Sequence, residues 1–559
     1  MASLIDSNSK FAINPTNLNM PRAQFDLSNT VKTTFNVGDL IPFDVIEVLP
    51  GDTFSVETNI LARLQTLITP IMDDIYLDMY YFFVPNRLTW EHWKNFMGEN
   101  TQSAWYPTTQ YTIPQIVLPK SQANFQGTVF DYLGCMYQGA EGTASVNALP
   151  FRAYGLIYNE WFRDENLIDP SLVPVDDTTV QPVTTVGYNG KPYKVAKYHD
   201  YFTSALPAPQ KGPDVTIPMA SSADFPVYAK DAMIAENRIP AELATDPIYF
   251  SHGDGYNKSY TYPAYFATSG NPNVNMASLQ ANATEDTFSN GGPLSPLNLW
   301  SNIGGLPVAT VNQLRLAFAT QKLYEKDARG GTRYTEILRS HFGVISPDSR
   351  LQRPELLSYN HIPLNIQQVV QSSETQTTPL GNLSAFSATA NSDGSFTKSF
   401  TEHGYILGLA CARYKHSYQQ GVNKLFSRKT RFDFYWPVFS HIGEQPILNK
   451  EIYLQGTSQD DEVFGYQEAW AEYRYKPDRV SGEMRSSVPT SLDVWHLADD
   501  YSALPTLSEQ WIQEDSTNVN RVIAVSEANA NQLFMDIYIK NIATRPLPMY
   551  SIPGLIDHF

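Results

Sequence analysis

The amino-acid sequence predicts a fold dominated by β-strands, with two antiparallel sheets packed as a sandwich and long loops between the strands. From Gln532 to Lys540, apolar residues alternate with polar ones, which is the period of two of a strand with one buried face. Three further segments, 75–84, 405–414 and 431–439, are apolar or aromatic at most positions, which predicts strands covered on both faces. The chain contains 38 prolines, so we expect long connections between these strands.

The composition is that of a globular chain with a substantial core. Of its 559 residues 42% are apolar and 13% are aromatic, which excludes a disordered protein. The two cysteines, Cys135 and Cys411, predict neither a disulfide framework nor a thiolate metal cluster. The first residues, MASLIDSNSKF, lack the basic and apolar regions of an export signal, so we expect folding in a reducing cytoplasm. The longest apolar run, 405–412, is too short for a bilayer span of about 20 residues.

A helical hairpin is predicted within the strand-rich sequence. Thr310 and Gln313 form a capping-box pattern at the start of the first helix, and the glycine pair 330–331 supplies a left-handed end. A second helix, at about 334–342, ends at Gly343 and aligns four residues on one face: Tyr334, Ile337, Leu338 and His341.

The stretch from about Met219 to Trp300 differs from its surroundings in composition. It is rich in Ser, Asn, Ala and Gly and has no sustained hydrophobic period, which predicts a surface insertion between two strands of the core. We therefore expect an N-terminal arm and the first part of the core in 1–218, and the insertion in 219–300. The hairpin, the remainder of the core and an extended C-terminal arm follow in 301–559.

Five segments stand out in the sequence, and the first of them, with its pattern of Tyr, Phe, Pro and Gln, has no catalytic logic of its own. They are AKYHDYFTSALPAPQKG (196–212), IYNEWFRDENL (157–167), QKLYEKDARGGTRYTEILRSHFG (321–343), PRAQFDLSNTVKTTFNVGDLIPFDVIEVLPGDTF (21–54) and PMYSIPGLIDHF (548–559). Together they resemble the major capsid protein of gokushoviruses, the small single-stranded DNA bacteriophages of the Microviridae. The resemblance spans nearly the whole chain and thins between about residues 218 and 304.

The resemblance implies a viral jelly-roll, with two four-stranded antiparallel sheets, large loop insertions and extended termini. It implies a structural protein without enzymatic activity or cofactor, which self-assembles into a T=1 icosahedral virion capsid around circular single-stranded DNA. It places the 219–300 insertion at a threefold protrusion, where we expect contact with a host-cell receptor. The C-terminal segment Arg545–Phe559, with three prolines and no core of its own, is expected to dock inside the particle or on an adjacent subunit.

The resemblance also implies an internal scaffolding protein, a DNA pilot protein and a small basic DNA-binding peptide as partners. The chain has 39 basic and 57 acidic residues, a net charge of -18, and no basic arm is visible in the sequence. Because phosphates are neutralised largely by Lys and Arg, most of the neutralisation of an enclosed genome is expected to come from another component.

Two sets of residues are candidates for contacts with ligands. Four cations on one side of the first hairpin helix predict a DNA-facing stripe, with a solvated face or intersubunit ion pairs as the alternative: Arg315, Lys322, Lys326 and Arg329. Tyrosines of the insertion are candidates for host attachment, with packing between three copies as the alternative: Tyr256, Tyr260, Tyr262 and Tyr265.

Catalytic and metal motifs are weak in this sequence. His199 and Asp200 near Ser204 lack a nucleophile-elbow motif, so a structural role is expected for them. The segment SHGDGYNKSY (251–260) lacks the glycine that a phosphate loop needs before its lysine. The ten histidines form no metalloprotease-type zinc motif.

Aromatic clusters leave alternatives open. The pairs 161–162 and 201–202 and the run 432–436 suit burial in the core or at a subunit interface, with stacking on DNA bases as the alternative. A carbohydrate-active β-sandwich enzyme is the rival function, because glycosidases use paired carboxylates and stacking rings. A surface adhesin is a third possibility.

Overall fold

Antiparallel strands dominate the computed structural model, which describes residues 21–100, 108–119, 125–135, 144–215, 310–376, 378–525 and 529–550, and the strands between 227 and 301. The strands are β1 (Ala23–Asp26), β2 (Asn29–Phe35), β3 (Ile41–Val48), β4 (Thr53–Leu64), β5 (Ile75–Pro85), β6 (Gln115–Val117), β7 (Ser145–Asn147), β8 (Val227–Ala229), β9 (Tyr249–His252), β10 (Tyr262–Thr268), β11 (Ala277–Ala281), β12 (Leu294–Pro296), β13 (Leu299–Ser301), β14 (Glu355–Pro363), β15 (Ile366–Val370), β16 (Leu383–Ser387), β17 (Thr389–Asn391), β18 (Phe396–Ser399), β19 (Gly404–Tyr414), β20 (Glu444–Leu448), β21 (Val463–Glu468) and β22 (Leu533–Arg545).

Helices in the described residues are short, with one exception of twenty residues. They are α1 (Asn86–Thr89), α2 (Trp93–Phe96), α3 (Val129–Tyr132), α4 (Leu149–Ile157), α5 (Val311–Gly330), α6 (Tyr334–Ile337), α7 (Asp348–Leu351), α8 (Asn449–Ile452), α9 (Glu509–Ile512) and α10 (Thr517–Val522). A π-helical turn continues α4 at Tyr158–Phe162, and another continues α6 at Leu338–Phe342.

The first sheet is built on the long strands β4 and β22, which pair antiparallel. Strands β1 and β2 both pair with β22, and β17 and β18 both pair with β4, so six strands fill four positions. The expected count of four strands is therefore wrong for this sheet. At each edge of the sheet, a turn separates the two short strands. Between β1 and β2, Asp26 accepts a hydrogen bond from the Ser28 amide (3.0 Å), and between β17 and β18, Gly394 has a φ of 101°.

The second sheet has four strands in the order β14, β5, β19 and β3, all antiparallel. Its inner face and that of the first sheet contribute to one apolar cluster, in which Ile60 and Ile537 meet Met79 and Ile406. This cluster is the core of a sandwich of two sheets, and it confirms the predicted sheet-rich antiparallel architecture.

Three of the four predicted strands are confirmed in detail. In β22, buried and exposed residues alternate from Leu533 to Lys540, as the period of two predicts. In β5 and β19, most residues of both faces are buried, because the outer face of the second sheet is covered by a second cluster. There, Leu409 and Phe82 of the sheet pack with Phe151 of α4.

The predicted strand at 431–439 is wrong. This segment forms two 3-10 turns, Arg431–Asp433 and Pro437–Phe439, and its residues from 431 to 438 are exposed. Pro437 cannot donate to a strand ladder, and Asp433 accepts hydrogen bonds from the backbone at residues 429 and 430. Local turn chemistry therefore overrides the apolar composition.

The helical hairpin is confirmed. The Thr310 amide donates to Gln313 Oε1 (2.9 Å), and the Gln313 amide donates to Thr310 Oγ1 (3.2 Å), as a capping box requires. Gly331 has a φ of 90° and Gly343 one of 69°, which matches the predicted left-handed ends.

The chain divides into two compact units, one formed by 1–211 and 324–559, and the other by 212–323. The second unit contains the predicted insertion, and its described strands form two small sheets. Strands β9 to β12 form one sheet in the order β11, β10, β9, β12, and β8 pairs with β13 in the other. The expected three-part division at 219 and 300 stays a prediction.

Candidate assembly and nucleic-acid surfaces

The four cations of the predicted DNA-facing stripe all lie on α5, but their environments differ. Arg315, Lys322 and Lys326 are exposed. Arg329 instead forms a forked ion pair with Glu444, with 2.6 Å between Nε and Oε1. Its Nη1 also donates to Gln467 Oε1 at 2.7 Å. Arg329 is thus held by its own subunit, which leaves three exposed cations as candidates for phosphate contact.

The candidate attachment tyrosines fall partly within the described strands. Tyr262 and Tyr265 lie in β10, where their backbones pair with Phe250 and Gln280 respectively. Tyr256 and Tyr260 lie outside the described residues, as does most of the segment that superficially resembles a phosphate loop. Host attachment therefore stays a prediction.

His199 and Asp200 belong to a turn that is fixed by the Asp200 carboxylate. Asp200 Oδ1 accepts hydrogen bonds from the amides of Phe202 and Thr203, both at 2.8 Å, while Tyr418 donates its hydroxyl to Oδ2 at 2.7 Å. The nearby Ser204 hydroxyl donates to the Asp200 carbonyl oxygen. All of these contacts stabilise the turn, which gives Asp200 a structural role.

In the described part of the chain, no three His, Cys, Asp or Glu side chains are grouped as a metal site would require. None of the helices described there combines the length and the apolar character needed to cross a membrane.

A buried ionic network on the second sheet was missed by the sequence analysis. Asp78 of β5 has a fully buried side chain and contacts Arg413 Nη2 at 2.5 Å. It also accepts hydrogen bonds from the hydroxyls of Tyr198 (2.7 Å) and Tyr359 (3.2 Å), and it lies 2.5 Å from His361 Nδ1. The available signal was a single aspartate within an otherwise apolar strand, because a buried charge requires partners.

A second buried network surrounds His416, which lies between two carboxylates. The distance from Nδ1 to Asp499 Oδ1 is 2.8 Å, and that from Nε2 to Glu514 Oε2 is 3.2 Å. Burial alone would lower the pKa of His416, but the Glu514 and Asp499 carboxylates outweigh it and raise this pKa to about 10. Burial raises the pKa of Asp499, yet His416 outweighs it and holds that pKa well below its usual value. His416 is therefore a buried cation at neutral pH.

Two of the three aromatic clusters belong to the interior of the subunit. Phe162, Tyr201 and Phe202 are buried in apolar clusters. Trp161 is half-buried, and the Arg353 guanidinium lies 4.2 Å from the centre of one of its rings. These rings therefore pack within the chain, as the core interpretation predicts.

The third aromatic cluster belongs to an exposed surface of residues 424–442, which we call the 424–442 surface. Its exposed apolar side chains include Phe426, which is 74% exposed, and Val438, which is 87% exposed. The others are Leu425, Phe432, Phe434, Tyr435, Trp436 and Ile442. A monomeric protein rarely exposes so many large apolar side chains in one segment, so this surface is a candidate for binding.

The backbone of the 424–442 surface is fixed by specific hydrogen bonds. Asp433 Oδ2 accepts from the amides of residues 429–430 at 2.7 and 2.6 Å. Trp436 Nε1 donates to the Arg431 carbonyl oxygen at 2.8 Å. The Arg428 guanidinium pairs with Glu472 at 3.1 Å. The backbone that carries the exposed rings and the ring of Trp436 are therefore held in place before any partner binds.

The described part of the C-terminal arm continues from β22 to residue 550. Arg545 is anchored by Asp52, with 3.1 Å between Nε and Oδ2. Leu547, Met549 and Tyr550 are exposed, with Tyr550 at 76%. These apolar side chains lack full cover from the described part of the subunit, and residues 551–559 lie outside it.

Comparisons with known proteins give a consistent result. The sequence matches the family described as "Capsid protein (F protein)" over residues 15–555. Capsid protein VP1 of Bdellovibrio phage phiMH2K is 42% identical over 549 residues, and that of Spiroplasma virus 4 is 41% identical over 547 residues. Capsid protein VP1 of Chlamydia phage 1 is 38% identical over 584 residues. Each alignment covers 96% of this chain and 96% of the relative.

These matches confirm the resemblance that the sequence motifs indicated, and they extend over the sandwich, the hairpin and the 424–442 surface alike. The role that they support is that of a structural major capsid protein, which forms a virion shell from copies of itself. The chain belongs to the phage capsid protein family.

Proposed function

We propose that this capsid protein is a jelly-roll subunit of a T=1 icosahedral shell, which encloses a circular single-stranded DNA genome. The observation that carries the proposal is the sandwich, in which two antiparallel sheets of four strand positions share one core. Its strands come from distant parts of the chain, since β4 pairs with β22. Long connections between such strands leave extensive surface for contacts around the symmetry axes.

Electron microscopy of particles formed by the chain together with its phage partners tests this proposal. We expect uniform closed shells with icosahedral symmetry and with one jelly-roll per subunit. Filaments, open sheets or particles without icosahedral symmetry would contradict it. No intrinsic hydrolase activity is expected. A turnover of polysaccharide that one Asp or Glu substitution abolishes would instead support the enzyme alternative.

Three exposed cations of α5 are proposed to contact the genome: Arg315, Lys322 and Lys326. Arg329 is left out because it already pairs with Glu444. Replacement of the three by Gln should reduce the DNA retained in particles, and the deficit should grow with salt as the remaining ionic contacts weaken. The matched control exchanges Arg315 to Lys and both lysines to Arg, which keeps the charge and should keep the DNA. Equal DNA content in all three particle types across a salt series would contradict the contact.

The surface insertion is proposed to form a threefold protrusion that attaches to the host cell. Its support is compositional: turn residues mark an exposed segment, while the tyrosines suit a recognition surface. Replacement of residues 219–300 by a Gly-Ser linker should permit shell assembly and abolish adsorption. Substitution of Tyr256, Tyr260, Tyr262 and Tyr265 by Phe is the finer test, because it keeps the rings and removes the hydroxyls. Adsorption at the parental rate by particles that lack the insertion would leave only an architectural role.

The C-terminal arm is proposed to dock inside the particle or on an adjacent subunit. Its support is the exposure of Leu547, Met549 and Tyr550 beyond the last strand. Deletion of residues 547–559 should block closed shells while the β-sheet circular dichroism is unchanged. A normal yield of closed shells would contradict this docking.

The remaining partners are proposed from the resemblance and from charge. A net charge of -18 leaves the phosphates of a genome largely without counter-charge from this chain, which favours a basic peptide as their partner. A scaffolding protein and a DNA pilot protein complete the set, and assembly is proposed to occur in the host cytoplasm. Mass spectrometry of purified virions and of assembly intermediates tests which of these proteins accompany the shell.

A further inference from the structure

We propose that the 424–442 surface is a docking surface for a second copy of this chain. This assignment rests on the shell assembly proposed above and identifies one of its contact surfaces. Residues 429–438 are ten consecutive exposed positions, and half of them are Phe, Tyr, Trp or Val. Such a run is costly to leave in water and gains free energy when a partner covers it.

The 424–442 surface is largely ordered in the free subunit, which favours binding of a partner. Asp433 fixes the turn, and Trp436 Nε1 donates a hydrogen bond to the Arg431 carbonyl oxygen. Little of the backbone therefore has to be ordered on binding, which lowers the entropic cost of the complex. The Arg428 guanidinium lies 5.1 Å from the ring of Phe434 and 4.5 Å from that of Tyr473. Rings held in this way are typical of the residues that dominate binding energies at protein interfaces.

Charge indicates what the partner offers. The segment 424–442 contains four basic residues and one acidic residue, a net charge of +3, whereas the whole chain carries -18. The rest of a second copy therefore carries -18 - 3 = -21. A basic and aromatic surface on a strongly acidic chain is complementary to the remainder of that same chain.

Single-stranded DNA would also suit basic and aromatic residues, but the details favour protein. Leu425 and Val438 have no flat face on which a base can stack. Two of the cations are already engaged: Arg428 pairs with Glu472, and Lys424 Nζ donates to the Pro446 carbonyl oxygen at 3.1 Å. Enrichment in Phe, Tyr, Trp and Arg is the composition of the buried centre of a protein interface.

Cysteine labelling at Val438 tests the proposal directly. Val438→Cys is combined with Cys135→Ser, since Cys411 is fully buried and Cys135 is only half-buried. Leu172→Cys in the same background is a control for reagent access, because Leu172 is 88% exposed and lies outside the surface. The rate of maleimide labelling is measured on free subunits, on particles without DNA and on DNA-filled particles.

In free subunits, both introduced thiols should react at similar rates. In both kinds of particle, the thiol at position 438 should react at least about tenfold more slowly than in the free subunit, because a covered thiol is withheld from the reagent. An unchanged rate in particles overturns the proposal. Protection in DNA-filled particles alone also overturns it and assigns the surface to the genome. If the parental chain forms no particles at all, the proposed function itself fails, and this inference fails with it.

A second variant gives an independent readout. Val438→Asp places a charge at a position that is exposed in the subunit, so its circular dichroism and its unfolding midpoint should equal those of the parent. In an interface, the same charge is buried without a partner, so the yield of particles should fall at least about tenfold. Val438→Ala, which only trims the side chain, is the control. A parental yield from Val438→Asp overturns the proposal.

Discussion

Strand β19 and the 424–442 surface are both apolar and aromatic in sequence, yet the structure uses them in opposite ways. Strand β19 pairs with β5 and β3 and is buried on both faces between two clusters of the same subunit. The 431–438 part of the surface is exposed throughout. An apolar run therefore predicts that a segment will be covered, but not whether the cover comes from the same chain or from another copy.

The largest difference in subunit stability between the two regions is expected from the buried ion pair of Asp78 in β5 with Arg413 in β19. Asp78→Asn leaves the Arg413 guanidinium, whose side chain is 15% exposed, without its counter-charge. Loss of one partner of a buried pair should lower the free energy of unfolding by about 3–5 kcal/mol. Glu57→Gln is the control, because its pair with Lys540 is half-exposed and contributes about 0–1 kcal/mol. Denaturant unfolding of the subunit measures the change in the free energy of unfolding for both variants. Equal changes would contradict a buried, stabilising pair of Asp78 and Arg413.

A similar loss of stability is expected when an apolar side chain of β19 is truncated. Leu407 is fully buried against the outer cluster of the second sheet, so Leu407→Ala should lower the free energy of unfolding by about 2–5 kcal/mol. The cost has two sources, the lost transfer of the side chain from water and the cavity that is left. The same denaturant series measures it, and a change below about 1 kcal/mol would show that this face is poorly packed.

The sequence predicts β22 well, because alternation from Leu533 to Lys540 depends only on local order along the chain. It predicts the hairpin helix for the same reason, since Thr310 and Gln313 interact three residues apart. The pairing of β4 with β22 and the pairing of Arg329 with Glu444 join residues far apart in sequence, and one chain alone gives no local signal for them.

The failure at 431–439 has a physical cause. Composition alone predicts a strand there, but Asp433 caps a turn and Pro437 cannot join a ladder. Both residues are visible in the sequence, and as turn residues they favour a loop over a strand despite the apolar content. Whether that loop is covered could not be read from the sequence, because cover depends on tertiary and quaternary contacts.

A pH dependence is expected from the His416 network, in which His416 lies two residues after the end of β19. The pKa of His416 is raised to about 10 in the folded protein, against about 6.5 for an unperturbed histidine. The charged His416 side chain therefore stabilises the folded state fully below about pH 6.5. This stabilisation is lost as the pH rises toward 10, by at most about 1.4 kcal/mol per pH unit. The free-energy difference between the parent and His416→Gln should narrow over this range in denaturant unfolding. A constant difference from pH 7 to pH 10 would contradict a buried imidazolium.

The smallest effect on the subunit is expected at the 424–442 surface. Phe432 is 58% exposed, so Phe432→Ala should change the free energy of unfolding by no more than about 0.5 kcal/mol. Phe54→Ala, at a fully buried ring of the sandwich core, is the matched control and should cost about 3–5 kcal/mol. If both substitutions destabilise the isolated subunit equally, the surface belongs to the fold of the subunit and the comparison fails.

Hydrogen exchange of free subunits and of assembled particles, read for residues 404–414 and 429–438, tests the central claim most directly. We predict slow exchange of 404–414 in both states, because β19 lies inside the sheet of one subunit. We predict that 429–438 exchange more slowly in particles than in free subunits, because a second copy covers them there. Equal exchange of 429–438 in the two states would contradict the account.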